Sequence, residues 1–151
     1  MLSRRQWLQG VAVSGAVGLG RTAGASGTSA GTAAGSISAR SVRLTLRHTW
    51  TTVMSSSAHR DVCYVDFARD GIVGHGEGAP IPRYHETAEG AIAAVGKLRP
   101  LVEGGDPWQF AAILDRVMAA LPGEYAAKAA IDLALTDWVT GRLGVPLYRY
   151  L

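Results

Sequence analysis

The 151-residue sequence predicts an α+β fold, a three-stranded antiparallel meander followed by three helices. Three observations carry that expectation. Apolar and polar residues alternate at period two between Ser41 and Arg47. An Asp70-Gly71 pair separates two further strand-like runs. From Tyr84 onward the apolar spacing becomes helical, and strands followed by segregated helices make an α+β domain.

In the first strand, Val42, Leu44 and Leu46 fall on one side and Arg43, Thr45 and Arg47 on the other, so one face is expected to be buried. The polar stretch Thr49 to Ala58 reads as a loop. Arg60 to Ala68 is the second strand, rich in β-branched and aromatic residues that suit a pleated surface. Ile72 to Gly78 is the return strand, its three glycines marking places where another backbone comes close. Thr87 caps a helix over about Ala88 to Val102, with Ile92, Val95 and Leu98 along one side. Asp106-Pro107-Trp108-Gln109 starts the second helix, with Asp as cap, Pro at the first position and Gln109 placed to close a capping box. The third helix runs from about Glu124 to Leu143, with Gly144 as its stop.

Residues 1–40 read as an address and a tether, leaving 41–151 as the folded domain. A charged start with Arg4-Arg5 and Trp7-Leu8 precedes a weakly apolar run, Val11 to Leu19, and small residues around Ala23-Gly24-Ala25. The paired arginines resemble a bacterial twin-arginine signal and imply a periplasmic or other extracytoplasmic destination. Cleavage is expected after Ala25, with Ala39 as the alternative. The run is too short for a stable membrane span of about 20 residues. Gly20 to Ser36 is almost all Gly, Ala, Ser and Thr, too poor in apolar surface to pack.

The formal charge of +3 comes from that leader. From Ser26 onward twelve Lys and Arg face twelve Asp and Glu, which argues against a nucleic-acid-binding face. One cysteine, Cys63, excludes an internal disulfide and a thiolate zinc site. His75-Gly76-Glu77 has the order of a zinc deaminase but lacks the cysteine pair which that chemistry needs. Gly74 to Gly78 cannot be a phosphate loop, because Pro80 and Pro82 follow where a helix would have to start. Asp132 and Asp137 are five residues apart on one helix, about 140° around its axis, so they suit hydrogen bonding to neighbours rather than a shared site. No catalytic residues and no metal ligands emerge.

Three passages resemble a known family. Asp70 to Pro80 (DGIVGHGEGAP) is similar to its "dG-x-x-GxGEaxP" turn and strand. Arg83-Tyr84-His85-Glu86-Thr87 resembles the "RYgEt" of dipeptide epimerases. Ala129 to Trp138, with Gly141 and Gly144-Val145-Pro146-Leu147, resembles "aAiDxAlwDlxgkxxGxPl". In this order and spacing they mark the N-terminal capping domain of the enolase superfamily, in its muconate-lactonizing and mandelate-racemase-like branch. The resemblance implies an L-Ala-D/L-Glu-type dipeptide epimerase acting on a small dipeptide. In that family two lysines exchange the α-proton, and three carboxylates hold Mg²⁺ at the strand ends of a (β/α)₈ barrel of about 250 residues.

The chain stops at Leu151, short of such a barrel. Its only lysines, Lys97 and Lys128, match no catalytic motif. A partial gene product is therefore expected, inactive and binding no Mg²⁺ by itself. An o-succinylbenzoate synthase, a cycloisomerase of the same superfamily and a non-enzymatic α+β binding module are the alternatives. The apolar segment Val145 to Leu151 argues against the last. By resemblance, two loops read the substrate side chain, around Trp50, Thr51, Met54, Ser55 and His59 and around Pro82 and Tyr84. Relatives acting on acidic dipeptides often carry an Arg in the first loop, near the position of Met54. Here no cation occurs before Arg60, which admits a more apolar dipeptide.

Overall fold

The computed structural model describes residues 34–53 and 55–151, all within the unit Gly31–Leu151. The leader through Ala25 and the loop residue Met54 lie outside the described residues. Strands β1 (Ser36–Thr51), β2 (Ser56–Arg69) and β3 (Ile72–Gly78) form one antiparallel sheet in the order β1-β2-β3. Asp70 and Gly71 both adopt positive φ, 51° and 75°, as a two-residue turn matched to strand twist requires.

The meander is as expected, but β1 differs in extent and in facing. It starts at Ser36, so residues 36–40 belong to the sheet rather than to the leader. It runs on to Thr51, and β2 begins at Ser56, so the expected loop 49–58 is largely strand, with Trp50 and Thr51 paired to Ser57 and Ser56. Backbone pairing satisfies N–H and C=O groups whatever the side chains are, and composition does not reveal it. Ile37 and Ala39 pair with Phe67 and Val65 and face the helices. Val42, Leu44 and Leu46 have the opposite parity. They lie half-buried on the other face of the sheet, not in the core as expected.

Helices α1 (Ala88–Glu103), α2 (Phe110–Ala120) and α3 (Tyr125–Leu143) cover the core face. The Thr87 hydroxyl accepts the Gly90 N–H at 3.0 Å, capping α1. Glu103, at the far end of α1, accepts the Ile37 N–H at 2.9 Å and ties β1 to that helix. Asp106 accepts the Trp108 N–H at 3.1 Å, but it caps a single 3₁₀ turn, Pro107–Gln109, before α2 begins. The expected capping box through Gln109 does not form; the Gln109 backbone N–H closes the 3₁₀ turn on Asp106 instead. Gly144 ends α3 at φ 67°, its N–H bonded to Gly141. A short fourth helix, α4 (Leu147–Tyr150), follows Pro146 and was not foreseen.

Helix α3 lies directly on β3. A Cβ at Gly74, Gly76 or Gly78 would overlap the carbonyl of Ala134, Ala130 or Ala126 respectively. Two residues of strand advance about 6.6 Å and four of helix about 6 Å, so the Gly and Ala rows stay in step. Trp138 closes this layer, edge-on to Phe67 at 6.1 Å and to Trp108 at 5.8 Å, with its indole N–H donating to the Arg69 carbonyl at 2.9 Å.

Candidate functional site

Two segments wall a cleft of about 580 Å³ on the sheet face away from the helices. The first is the β1–β2 hairpin. Its register slips between Thr45, opposite His59, and Trp50, opposite Ser57, which leaves extra residues on β1. Such an insertion bends a strand and re-aims its end. The tip closes through the Thr52 N–H to the Ser55 carbonyl at 2.8 Å and a Thr51–Ser56 hydroxyl pair at 2.9 Å. The second wall is the segment after β3. Pro80 and Pro82 lack an N–H and cannot extend the sheet. A 3₁₀ turn over Pro82–Tyr84 and a left-handed His85 (φ 59°) then lead the chain into α1.

The cleft floor is apolar, made by Leu44, Leu46, Val62 and Ile81. Val62 is 1% exposed although it lies outside the helix-facing core. Arg60 and Arg83 line the cleft as well, and neither makes an ion pair among the described residues. Glu77 is also in the lining. Its hydrogen bond with the Tyr64 phenol raises the Tyr64 pKa. Such a surface suits an apolar group attached to an anionic one.

Further along the same face, Asp66 binds Arg40 and sits 2.7 Å from the His75 ring nitrogen. Burial works to raise the Asp66 pKa. Hydrogen bonds with His75 and Arg40 outweigh it and hold the carboxyl below its ordinary value. Asp137 accepts the His75 backbone N–H at 2.8 Å, and Asp132 accepts the Thr136 hydroxyl at 3.3 Å, so both carboxylates serve neighbours, as their spacing suggested. Lys128 is buried, its ammonium donating to the Leu121 carbonyl at 2.6 Å and the Met118 carbonyl at 3.2 Å, a cap on the end of α2.

Of the expected specificity residues, Ser55 and Pro82 line the cleft. His59 lines a neighbouring recess of about 270 Å³ together with Pro82 and Glu86. Trp50 is 59% exposed, and Thr51 is engaged with Ser56. Tyr84 packs edge-on against Tyr125 at 5.8 Å rather than lining the cleft. The sequence reading missed Leu44, Leu46, Arg60, Val62, Glu77 and Ile81. A signal was present: β2 carries apolar residues at both parities, Val62 and Tyr64 against Cys63, Val65 and Phe67, as a strand covered on both faces does. Among the described residues no three His, Cys, Asp or Glu side chains converge as a group that could hold a metal ion.

Residues 34–151 match the model of the mandelate racemase / muconate lactonizing enzyme, N-terminal domain. The chain is 36% identical over 112 residues to the L-Ala-D/L-amino acid epimerase of Pedosphaera parvula, covering 72% of this chain and 32% of that protein. It is 31% identical over 117 residues to the hydrophobic dipeptide epimerase of Enterococcus faecalis, covering 74% and 32%. The crystal structure of the dipeptide epimerase from Enterococcus faecalis, complexed with Mg and L-Leu-L-Tyr, superposes with a TM-score of 0.69 at 28% identity, over 77% of this chain and 33% of that one. The chain thus spans a third or less, 27–32%, of the length of the curated relatives it matches.

Proposed function

This chain belongs, through residues 34–151, to the mandelate racemase / muconate lactonizing enzyme N-terminal domain family, and from that membership we propose that it is the substrate-capping portion of a Mg²⁺-dependent dipeptide epimerase. The observation that carries the reading is the cleft shared by the β1–β2 hairpin and the segment 79–83. Epimerisation removes a proton from a carbon beside a carbonyl and returns one on the opposite face, through an enolate whose charge must be stabilised. In this reading Mg²⁺ supplies that stabilisation and is held, with the proton-moving groups, outside this domain. The task of the domain is to select the side chain and to exclude water. The apolar floor accepts an aliphatic or aromatic side chain, and Arg60 and Arg83 offer an anion-binding edge.

Titration of the ¹⁵N-labelled chain with L-Leu-L-Tyr and with L-Ala-L-Glu tests this reading. Saturable shifts confined to residues 44–62 and 77–83 are expected. Shifts scattered over α1–α3, or none, contradict it. The purified chain with Mg²⁺ is expected to exchange no α-proton of L-Ala-L-Glu with D₂O, and exchange above background would place the chemistry in this domain after all.

Export by the twin-arginine route is part of the same proposal, supported by Arg4-Arg5 and the run Val11 to Leu19. Cleavage after Ala25 keeps β1 whole. Cleavage after Ala39 would remove Ile37, which is buried and bonded to Glu103. The mass of the exported protein distinguishes the two sites. Among the described residues no helix is long and apolar enough to cross a membrane.

A further inference from the structure

Glu86 belongs to the Arg83–Thr87 passage yet does not line the main cleft. Its carboxylate accepts three backbone N–H groups, one from the segment just before it and two from the distant start of α3. One oxygen takes Tyr125 at 2.5 Å and Ala126 at 3.4 Å; the other takes Ile81 at 3.3 Å. Tyr125 and Ala126 open α3, whose preceding residue, Glu124, is left-handed (φ 54°) and makes no side-chain cap. Glu86 therefore caps α3 from outside, where a carboxylate also meets the positive end of the helix dipole. On the other side, Ile81 stands between Pro80 and Pro82, neither of which has an N–H. Its amide is the sole backbone donor across residues 80–82, and Glu86 takes it.

We propose that Glu86 is a positioning residue. It latches the cleft wall at Ile81 to the N-terminus of α3, the helix locked against β3 by the Gly–Ala rows. The left-handed turn at His85 brings the carboxylate back to both partners. The Ile81 carbonyl already accepts the Tyr84 N–H at 2.9 Å and the Glu86 N–H at 3.5 Å; the carboxylate adds the tie that fixes this turn, and the Ile81 side chain it carries, relative to α3. That this fixes which ligand fits rests on the cleft reading above; the latch itself does not.

Glu86→Gln separates latch from bulk. A glutamine has one acceptor oxygen, and its amide nitrogen cannot accept from the N–H groups at the other end. Amide hydrogen exchange in the full chain, wild type and Glu86→Gln, is followed at Ile81, at Tyr125 and Ala126, and at Val65, with thermal unfolding alongside. The expected result is exchange about ten- to a hundredfold faster at Ile81, the weaker of the two ends, with Val65 protection kept. Faster exchange at Tyr125 and Ala126 alone, with Ile81 as in the wild type, would make Glu86 a plain helix cap and overturn the proposal. So would unchanged exchange at all of these amides. Should Glu86→Gln unfold, Glu86→Asp keeps the charge on an arm one methylene shorter, too short to span both partners; a folded Asp variant with Ile81 still protected overturns the latch.

L-Leu-L-Tyr titrated into the same samples keeps the two readings apart. Weaker binding by the unlatched variant supports positioning, and equal binding overturns it. A wild type that binds no dipeptide defeats the cleft reading and its consequence for selection, while exchange at Ile81 still decides the latch.

Discussion

Gly76 on β3 and Leu44 on β1 lie in one sheet and meet opposite demands. Gly76 is pressed against the Ala130 backbone, with no room for even one methyl group. Leu44 projects from the other face into an open cleft and is only half-buried. The β3–α3 half is a contact between backbones, where geometry dictates the residue. The hairpin half is a surface of side chains held by cross-strand pairing, where size and charge can change without moving the frame. Together they give a fixed back from which a variable front is displayed.

Gly76→Ala should break the fixed half outright. Its Cβ would meet helix backbone, which cannot step aside as a flexible side chain can, and the loss should exceed about 4 kcal/mol. Urea unfolding followed by circular dichroism reads this; a wild-type midpoint would show that α3 does not lie so close. Trp138→Phe tests the same half more gently. It leaves the Arg69 carbonyl without its indole donor and opens a small void, and about 2–4 kcal/mol should be lost in the same assay.

On the other face the effects should be smaller. The Asp66 carboxyl titrates below its ordinary value when folded, so its contribution is fully present above the unfolded value of about 4. It is lost as pH falls through the folded value. Acid unfolding of Asp66→Asn should therefore be less steep below pH ~4 than that of the wild type. An identical acid profile would mean that the Arg40–Asp66–His75 group adds nothing. The smallest change is expected at Arg43, paired to Asp61 at 2.7 and 2.8 Å but open to solvent. Arg43→Ala should leave the midpoint unchanged at physiological salt, where exposed pairs are screened. A clear drop would show that the hairpin is more tightly built than its exposure indicates.

The same division explains what could be read from the sequence. Features set by neighbours in the chain were legible: the Asp70-Gly71 turn, the Thr87 cap and the Gly144 stop; the close approach at the β3 glycines was legible too, though not the helix that makes it. Other features set across the fold were not. Period two shows that Val42, Leu44 and Leu46 share a face but not which face, because that depends on where α3 packs. The hairpin arms, where Trp50 and Thr51 pair with Ser57 and Ser56, look like loop because the stretch is rich in Thr and Ser and the pairing is made by backbone. Of the cleft lining, Ser55 and Pro82 lie in the two loops named through family resemblance, whereas Leu44, Arg60 and Ile81 are placed there by strand register and the turn after β3. The clamp at Glu86 joins residues 39 positions apart, and no local pattern announces it.

Substrate choice is most directly measured in a hybrid. Residues 34–151 replace the corresponding N-terminal domain of the hydrophobic dipeptide epimerase of Enterococcus faecalis, and epimerisation of L-Leu-L-Tyr and L-Ala-L-Glu is followed by α-deuterium incorporation. A hybrid whose preference differs from that of the parent enzyme is expected, with Arg60→Ala lowering use of L-Ala-L-Glu relative to L-Leu-L-Tyr by about tenfold or more. An active hybrid that keeps the parent's preference, unmoved by Arg60→Ala, would show that this cleft does not read the substrate.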